Sequence, residues 1–504
     1  MRQINRRAFL RGAAATAGAT AALGGPFAGL VRLAAAGGPH PIFPGPKPSF
    51  KGLVDNIADE RDGKVRLFVP EGFRYRSFHD TEDPVLLDDG TSLPGRHDGM
   101  GAFQGPNGNS ILIRNHEVNG PGAIFGPLED HTYDTAAQGG TTTVEVTPFG
   151  EVVNAYTSLN GTQMNCAGGP MPWGAWITCE ETINGPDVRP DFTGASNVPL
   201  QQRHGFIFEV PVDGESSAQP ITKAGRFAHE AVTFDPDEGV LYLTEDNFGF
   251  PSGFYRYLPP ENPMAVGRLL DGGQLQMLAV EGMANADLAR SQPEGAKYDV
   301  EWVDIDDPDP TFPFTPGVIA PTENNDAISY VGNQGRLLGA AKFSRLEGSA
   351  IHRGVVYFAA TQGGGEPEAS DGPIGNGYGN GRGQVWAYHT RTQQLELIFE
   401  SPLPAPGQEP AFLDLPDNVT TSPRGTLILC EDSSGDNFLR GLSRDGNIWN
   451  VALNRLTSKA GAARFGEEFA GSTFSHNGRT LFVNIQASAG ITFAIWGPWA
   501  RIGV

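Results

Sequence analysis

Carboxylates at the ends of short apolar runs are the residues of this chain whose type and spacing could do chemistry. SILIRNHE (110–117), GAWITCEE (174–181), GVLYLTED (239–246) and GTLILCED (425–432) each run through apolar or β-branched residues into acids. GVVYFAAT (354–361) and GRTLFVNIQ (478–486) share the phrase and end on neutral polar groups. If these ends meet, Glu117, Glu181, Glu245 or Asp246, and Glu431 or Asp432 share a low-dielectric centre where like charges repel. A cation relieves that repulsion, and calcium, which takes about six to eight oxygens, suits such donors. FSRLEG (343–348) adds a different pair. Arg345 and Glu347 stand two apart and lie on one face of an extended backbone, so one can hold phosphate while the other holds metal. The arginine fork matches phosphate oxygens and stays charged at alkaline pH. In PDN (416–418), Asp417 and Asn418 either supply oxygens to calcium or form an Asx turn.

The elements that position these ends are strands. Each phrase is a turn residue, four or five apolar residues and a polar tip, the pattern of a buried strand leaving a tight turn. Abundant glycine (67) and proline (40) and the lack of strongly amphipathic helical stretches predict an all-β fold. Six recurrences point to a six-bladed β-propeller, in which equivalent strand ends converge on one channel. The phrases begin 64, 65, 115, 71 and 53 residues apart, longer than the roughly 40–45 of a minimal blade, so the blades carry insertions. The largest, about 259–336, and a glycine-rich one at 363–383 are expected to form loops capping one mouth. Successive strand residues face opposite ways, so one acid of each adjacent pair can face the channel. By the same alternation, the histidines before Glu117 and Glu230 should face away.

Arg6 and Arg7, followed by a mild apolar stretch and Ala34 to Ala36, read as a twin-arginine export signal over residues 1–36. Residues 37–504 then form a single propeller domain. Export through the twin-arginine machinery predicts a periplasmic or secreted protein without a stable membrane anchor. The chain has 36 basic and 58 acidic residues, a formal charge of −22; removal of the five signal arginines leaves 31 basic residues and takes it to −27. Such a charge disfavours nucleic acid as a partner. The three cysteines, Cys166, Cys179 and Cys430, make no disulfide framework.

The ordered strings RNHE (114–117), NCAGGP (165–170), TCEE (178–181), RFAHE (226–230), LTED (243–246), FSRLEG, PDN, CED (430–432) and EFAG (468–471) resemble those of the PhoX family of alkaline phosphatases. The resemblance runs from about residue 50 to TFAIWGPW (492–499). It implies a calcium-dependent exported enzyme that hydrolyses phosphate monoesters at a mixed cluster of Ca2+ and Fe3+, with phosphate between the metals and an arginine. On that pattern Cys166 is the expected iron ligand, since a lone thiolate suits iron better than calcium. Glu181 is favoured over Glu180 and Glu431 over Asp432, while Glu245 and Asp246 both stay in the set with Glu117, Glu230, Glu347, Asp417 and Asn418. Arg345 is the expected phosphate-binding residue, ahead of Arg114, Arg226 and Arg382. The rival readings are a calcium-dependent lactonase or phosphotriesterase-like propeller, which has no need of a thiolate, and a binding propeller whose cation is structural.

Overall fold

Strands supply almost all the regular structure in a computed structural model of the chain, which describes residues 52–293, 295–404 and 412–504 and, before them, only the backbone of Ile4–Asn5. Apart from that pair, the expected export signal lies outside the described residues. No helix among the described residues is long and apolar enough to cross a membrane.

Six antiparallel strand pairs carry the sequence phrases. They are β1 (His97–Gln104) with β2 (Ser110–His116), β3 (Asn165–Met171) with β4 (Ala175–Glu180), and β5 (His229–Asp235) with β6 (Val240–Glu245). The other three are β7 (Leu346–Ile351) with β8 (Val355–Ala360), β9 (Pro416–Thr421) with β10 (Leu427–Glu431), and β11 (Phe469–Phe474) with β12 (Thr480–Ile485). The first strand of each pair lies innermost and packs beside the next in the order β1, β3, β5, β7, β9, β11, with β11 returning to β1. The arrangement is all-β and propeller-like.

These pairs belong to five hydrogen-bonded sheets, not six separate ones. The β5–β6 and β7–β8 sets merge edge to edge where Lys297–Asp304 pairs with Gln394–Glu400, making a nine-stranded sheet. The expected insertion at 259–336 therefore divides. Gln274–Val280 and Lys297–Asp304 extend the sheet of β5 and β6. The stretches 259–273 and 281–293 around these strands are irregular, and the longest irregular stretch, from about 305 to 338, carries two short helices, α1 (Asn324–Ile328) and α2 (Tyr330–Leu337). The 363–383 segment has no strand, and its backbone is tied to the loop after β6 by Tyr378 N–H to the Phe248 carbonyl (2.7 Å) and Ile374 N–H to the Gly249 carbonyl (2.9 Å).

Apolar side chains fill the spaces between sheets, which is why β6, β8 and β12 are buried along their whole length and read as near-continuous apolar runs. The last sheet is completed by a strand from the start of the described chain: Arg74–Phe78 pairs with Ile491–Trp496. Tyr75 anchors this closure. It is fully buried; its hydroxyl accepts the N–H groups of Arg66 (2.8 Å) and Leu67 (3.2 Å) and donates to the Ile57 carbonyl (3.1 Å). Tyr75→Phe should strip two N–H groups of their acceptor and lower the unfolding free energy by about 1–3 kcal/mol in a urea titration; no change would show that this closure is not supporting the fold.

Candidate metal centre

One local irregularity delivers the chemistry of the centre. In all six pairs, three steps along the inner strand oppose two along its partner, a β-bulge that turns an extra residue out of the ladder. In five inner strands the first bulged residue is Asp98, Cys166, Glu230, Glu347 or Asp417. In β11 the irregularity comes one residue later, and Glu468, just before the strand, contributes a carboxylate instead.

The partner strands end in an equally regular way. The residue after each, namely Glu117, Glu181, Asp246, Thr361, Asp432 or Gln486, donates its N–H to the carbonyl of the residue preceding the inner strand, at 2.9–3.2 Å. The second bulged residues, Gly99, Ala167, Ala231, Gly348, Asn418 and Ser472, line a cavity of about 140 Å³. They are small where backbones crowd: a Cβ on Gly348 would lie 2.5 Å from Val419 N, and one on Gly99 2.5 Å from the Ala167 Cα.

Three groups of potential ligand atoms result, the atoms of each lying within 4.8 Å of one another: Glu117, Cys166 and Glu181; Glu230, Glu347 and Asp417; and Asp417, Asp432 and Glu468. Asp98 accepts the Cys166 thiol at 3.3 Å and also the amide of Gln486. Arg345 donates to Asp246 (2.6 Å) and stands 3.1 Å from Glu347. Its guanidinium lies 5.1 Å from the ring of half-exposed Phe248.

Adjacent acids divide their work as strand alternation requires. Glu180 turns outward, accepting the N–H groups of Gln163, Gly205 and Phe206 (2.9, 2.9 and 3.1 Å) and pairing with His204 at 2.6 Å. Glu245 accepts Gly253 N–H (2.9 Å) and the Tyr255 hydroxyl (2.8 Å), and Glu431 accepts Asp414 N–H (3.0 Å), Phe438 N–H (3.1 Å) and Arg440 Nε (2.7 Å). The second member of each pair, Glu181, Asp246 or Asp432, faces the shared centre. This reverses the expected preference for Glu431 over Asp432, and of Glu245 and Asp246, both in the expected set, only Asp246 faces the centre; Glu431 and Glu245 pin the following hairpins. Asn418 is also displaced from the expected set: its carbonyl accepts Gly471 N–H and its amide braces Asp417.

Asp98 and Glu468 are centre residues that the sequence reading does not name, and Asp432 takes the place for which Glu431 is favoured. Asp98 follows His97 as Glu117 follows His116 and Glu230 follows His229, so the recurring His-acid step was a usable signal. The weaker arginine candidates serve elsewhere. Arg226 binds Asp187 through both terminal nitrogens (2.7 and 2.8 Å), and Arg114 donates to Thr492 (2.8 Å) and Thr142 (3.2 Å). All three cysteines are free and buried.

The electrostatics call for cations. Both carboxylate oxygens of fully buried Glu230 lack a hydrogen-bond partner among the described residues. Burial, reinforced by carboxylate neighbours, pushes Glu181, Glu230, Glu347, Asp417 and Glu468 well above the usual carboxylate range, and burial pushes Asp98 up to about 7. Oxygen-rich groups beside one thiol fit a hard cation together with a metal that accepts sulfur.

Residues 53–154 and 148–489 match the family Alkaline phosphatase PhoX. An all-β chain that gathers carboxylates, a thiol and an arginine at the meeting point of its inner strands and matches this family is a phosphatase by class. The chain belongs to the PhoX family of alkaline phosphatases. Among solved structures it is similar to Pseudomonas fluorescens PhoX in complex with vanadate, at 16% identity and a TM-score of 0.63, covering 91% of this chain and 99% of that one. A gluconolactonase from Xanthomonas campestris is more distant, at 11% identity and a TM-score of 0.38, with 88% and 98% covered. Comparison with curated proteins gives no match.

Acids whose folded pKa is raised stabilise the fold below their unfolded values, near 4, and that contribution is lost as pH rises through the folded values. The chelated protein should therefore lose thermal stability steadily from pH 5 to pH 9, and calcium should reverse the trend while releasing protons. A metal-free melting profile that rises over this range would contradict the assignment. Glu180→Ala should cost about 3–5 kcal/mol through its stranded buried partner, a loss that urea titration with calcium present would reveal, whereas Glu181→Gln should leave the apoprotein more stable and lower its metal content.

Proposed function

We propose that this centre holds iron and calcium on a six-bladed propeller, exported by the twin-arginine machinery to the periplasm or beyond, and that Arg345 anchors the phosphoryl group of phosphate monoesters there. The protein is an alkaline phosphatase of the PhoX family. The observation that carries the metal reading is Glu230, a buried carboxylate with no hydrogen-bond partner among the described residues and two further acids within ligand distance. Cys166 with Glu117 and Glu181 would hold iron. Glu230, Glu347, Asp417, Asp432 and Glu468 would hold calcium. Bound there, the metals would supply Lewis-acid stabilisation of the phosphoryl oxygens and an activated water.

The chain's own residues orient the substrate. Asp246 and Glu347 flank the Arg345 guanidinium, which stays cationic because these carboxylates outweigh the cost of its burial. Its fork can bind two phosphoryl oxygens and spread the charge that builds in the transition state. Ser344 beside it is buried and donates to the Tyr378 carbonyl at 2.8 Å, so it is not poised as a nucleophile. The likeness to a PhoX that binds vanadate, a transition state analogue, supports an oxyanion site on this fold. Cys166 favours this reading over a calcium-only lactonase or phosphotriesterase-like enzyme, because a thiol among the ligand atoms serves no purpose for calcium.

Exported protein should contain both iron and calcium by elemental analysis, and its hydrolysis of p-nitrophenyl phosphate should vanish on chelation and return with calcium. Calcium alone without such turnover would contradict the proposal. Arg345→Ala should weaken inhibition by inorganic phosphate about 30-fold while keeping metal content, and undiminished phosphate affinity would remove Arg345 from the site. Cys166→Ala should lose iron and activity together; a variant that retains iron would reassign the ligand.

A further inference from the structure

Arg96 occupies the same structural position as Arg345 in a different strand set. Each directly precedes an inner strand, β1 or β7, and each has a left-handed backbone, with φ of 46° for Arg96 and 36° for Arg345. Each carbonyl accepts the N–H of the residue that follows the partner strand, Glu117 or Thr361, at 3.0 Å. Each guanidinium also reaches the post-strand residue of the preceding set: Arg345 bonds Asp246, and Arg96 bonds Gln486 at 3.3 Å. The equivalent positions before β3, β5, β9 and β11 hold Met164, Ala228, Leu415 and Glu468, none of them cationic.

Met164 (φ 42°) and Leu415 (φ 48°) share the left-handed backbone, which therefore belongs to the strand closure itself, and what sets Arg96 and Arg345 apart among the six positions is their charge. Sets β1 and β7 stand three places apart in the cyclic order of inner strands, so the two guanidiniums approach the centre from opposite sides. Arg96 is anchored by its Nε to the Glu117 carbonyl (2.6 Å) and by a terminal nitrogen to the Glu117 carboxylate. Even so, its side chain is 40% exposed, against 19% for Arg345.

We propose that Arg96 is a second anion-binding arginine of this site, and that it receives a second negatively charged group carried by the phosphate ester. The proposal rests on the reading of Arg345 as the phosphoryl anchor. It places the preferred substrates among bisphosphates and other doubly anionic esters, since Coulomb attraction to two opposed guanidiniums rewards charge at both ends of the molecule. A role confined to bracing Glu117 would instead show in metal content and leave substrate choice untouched.

The experiment compares kcat/KM for fructose 1,6-bisphosphate and fructose 6-phosphate in the metal-loaded protein, Arg96→Gln and Arg96→Lys, with metal content measured on each. The unaltered protein should favour the bisphosphate by about tenfold or more, Arg96→Gln should lower that ratio by about tenfold, and Arg96→Lys should fall between. A ratio that Arg96→Gln leaves unchanged at full metal content overturns the proposal and leaves the phosphatase reading intact. If the glutamine variant loses metal, the lysine variant decides: a reduced ratio supports the proposal and an unchanged one overturns it. Metal loss from both variants also overturns it, making Arg96 a brace for Glu117. Absence of hydrolysis of either sugar phosphate by the unaltered protein would sink this proposal together with the reading beneath it.

Discussion

Repulsion among buried carboxylates is the constraint on which the rest of this structure depends. Glu230, Glu347 and Asp417 alone place three acids within 4.8 Å in a buried centre, and Asp417 is shared with Asp432 and Glu468. Taking even one carboxylate out of water costs several kcal/mol, so such a set holds together only by keeping protons or by binding cations. Arg345 and Arg96 offset part of the charge. The remaining carboxylates could hold metal, and bound cations would give an acidic protein the positive interior that an anionic substrate needs.

The fold supplies this crowding by repetition of one device. A bulge in five of the six inner strands turns a carboxylate or the Cys166 thiol out of the ladder, and a backbone hydrogen bond at each partner-strand end fixes the next side chain beside it. The outer acid of each pair is then free to hold the framework. Glu180, Glu245 and Glu431 each accept backbone N–H groups and a further side-chain donor from neighbouring segments. Adjacent acids with opposite tasks explain why the strand phrases end in doublets: one carboxylate builds the ring and the next serves its centre.

Much of this was legible in the sequence because period-two alternation and turn residues are local signals. The six phrases fall on six inner pairs. Arg345 and Glu347 do meet beside Asp246, through a left-handed backbone at Arg345 and the bulge at Glu347 and not through the extended FSRLEG segment that the spacing suggests. Which acid of a doublet faces inward was not readable from alternation alone, since the phase is set by the bulge and by pairing with distant segments. Glu431 shows this: its orientation is fixed by Arg440 and by the backbone of Asp414 and Phe438, none of which its own phrase encodes. Asp98 was missed for a related reason, because it lies in an inner strand outside the recurring phrase. The segment at 259–336 reads as loop in the sequence because its proline-rich flanks hide two strands that join neighbouring sets into one sheet.

Anomalous X-ray scattering recorded at the iron edge and at longer wavelength for calcium, on crystals of the exported protein, tests the central claim most directly. The account predicts an iron peak beside the Cys166 Sγ and calcium peaks among Glu230, Glu347, Asp417, Asp432 and Glu468. A centre without metal peaks, its carboxylates protonated and hydrogen-bonded to one another, would contradict it.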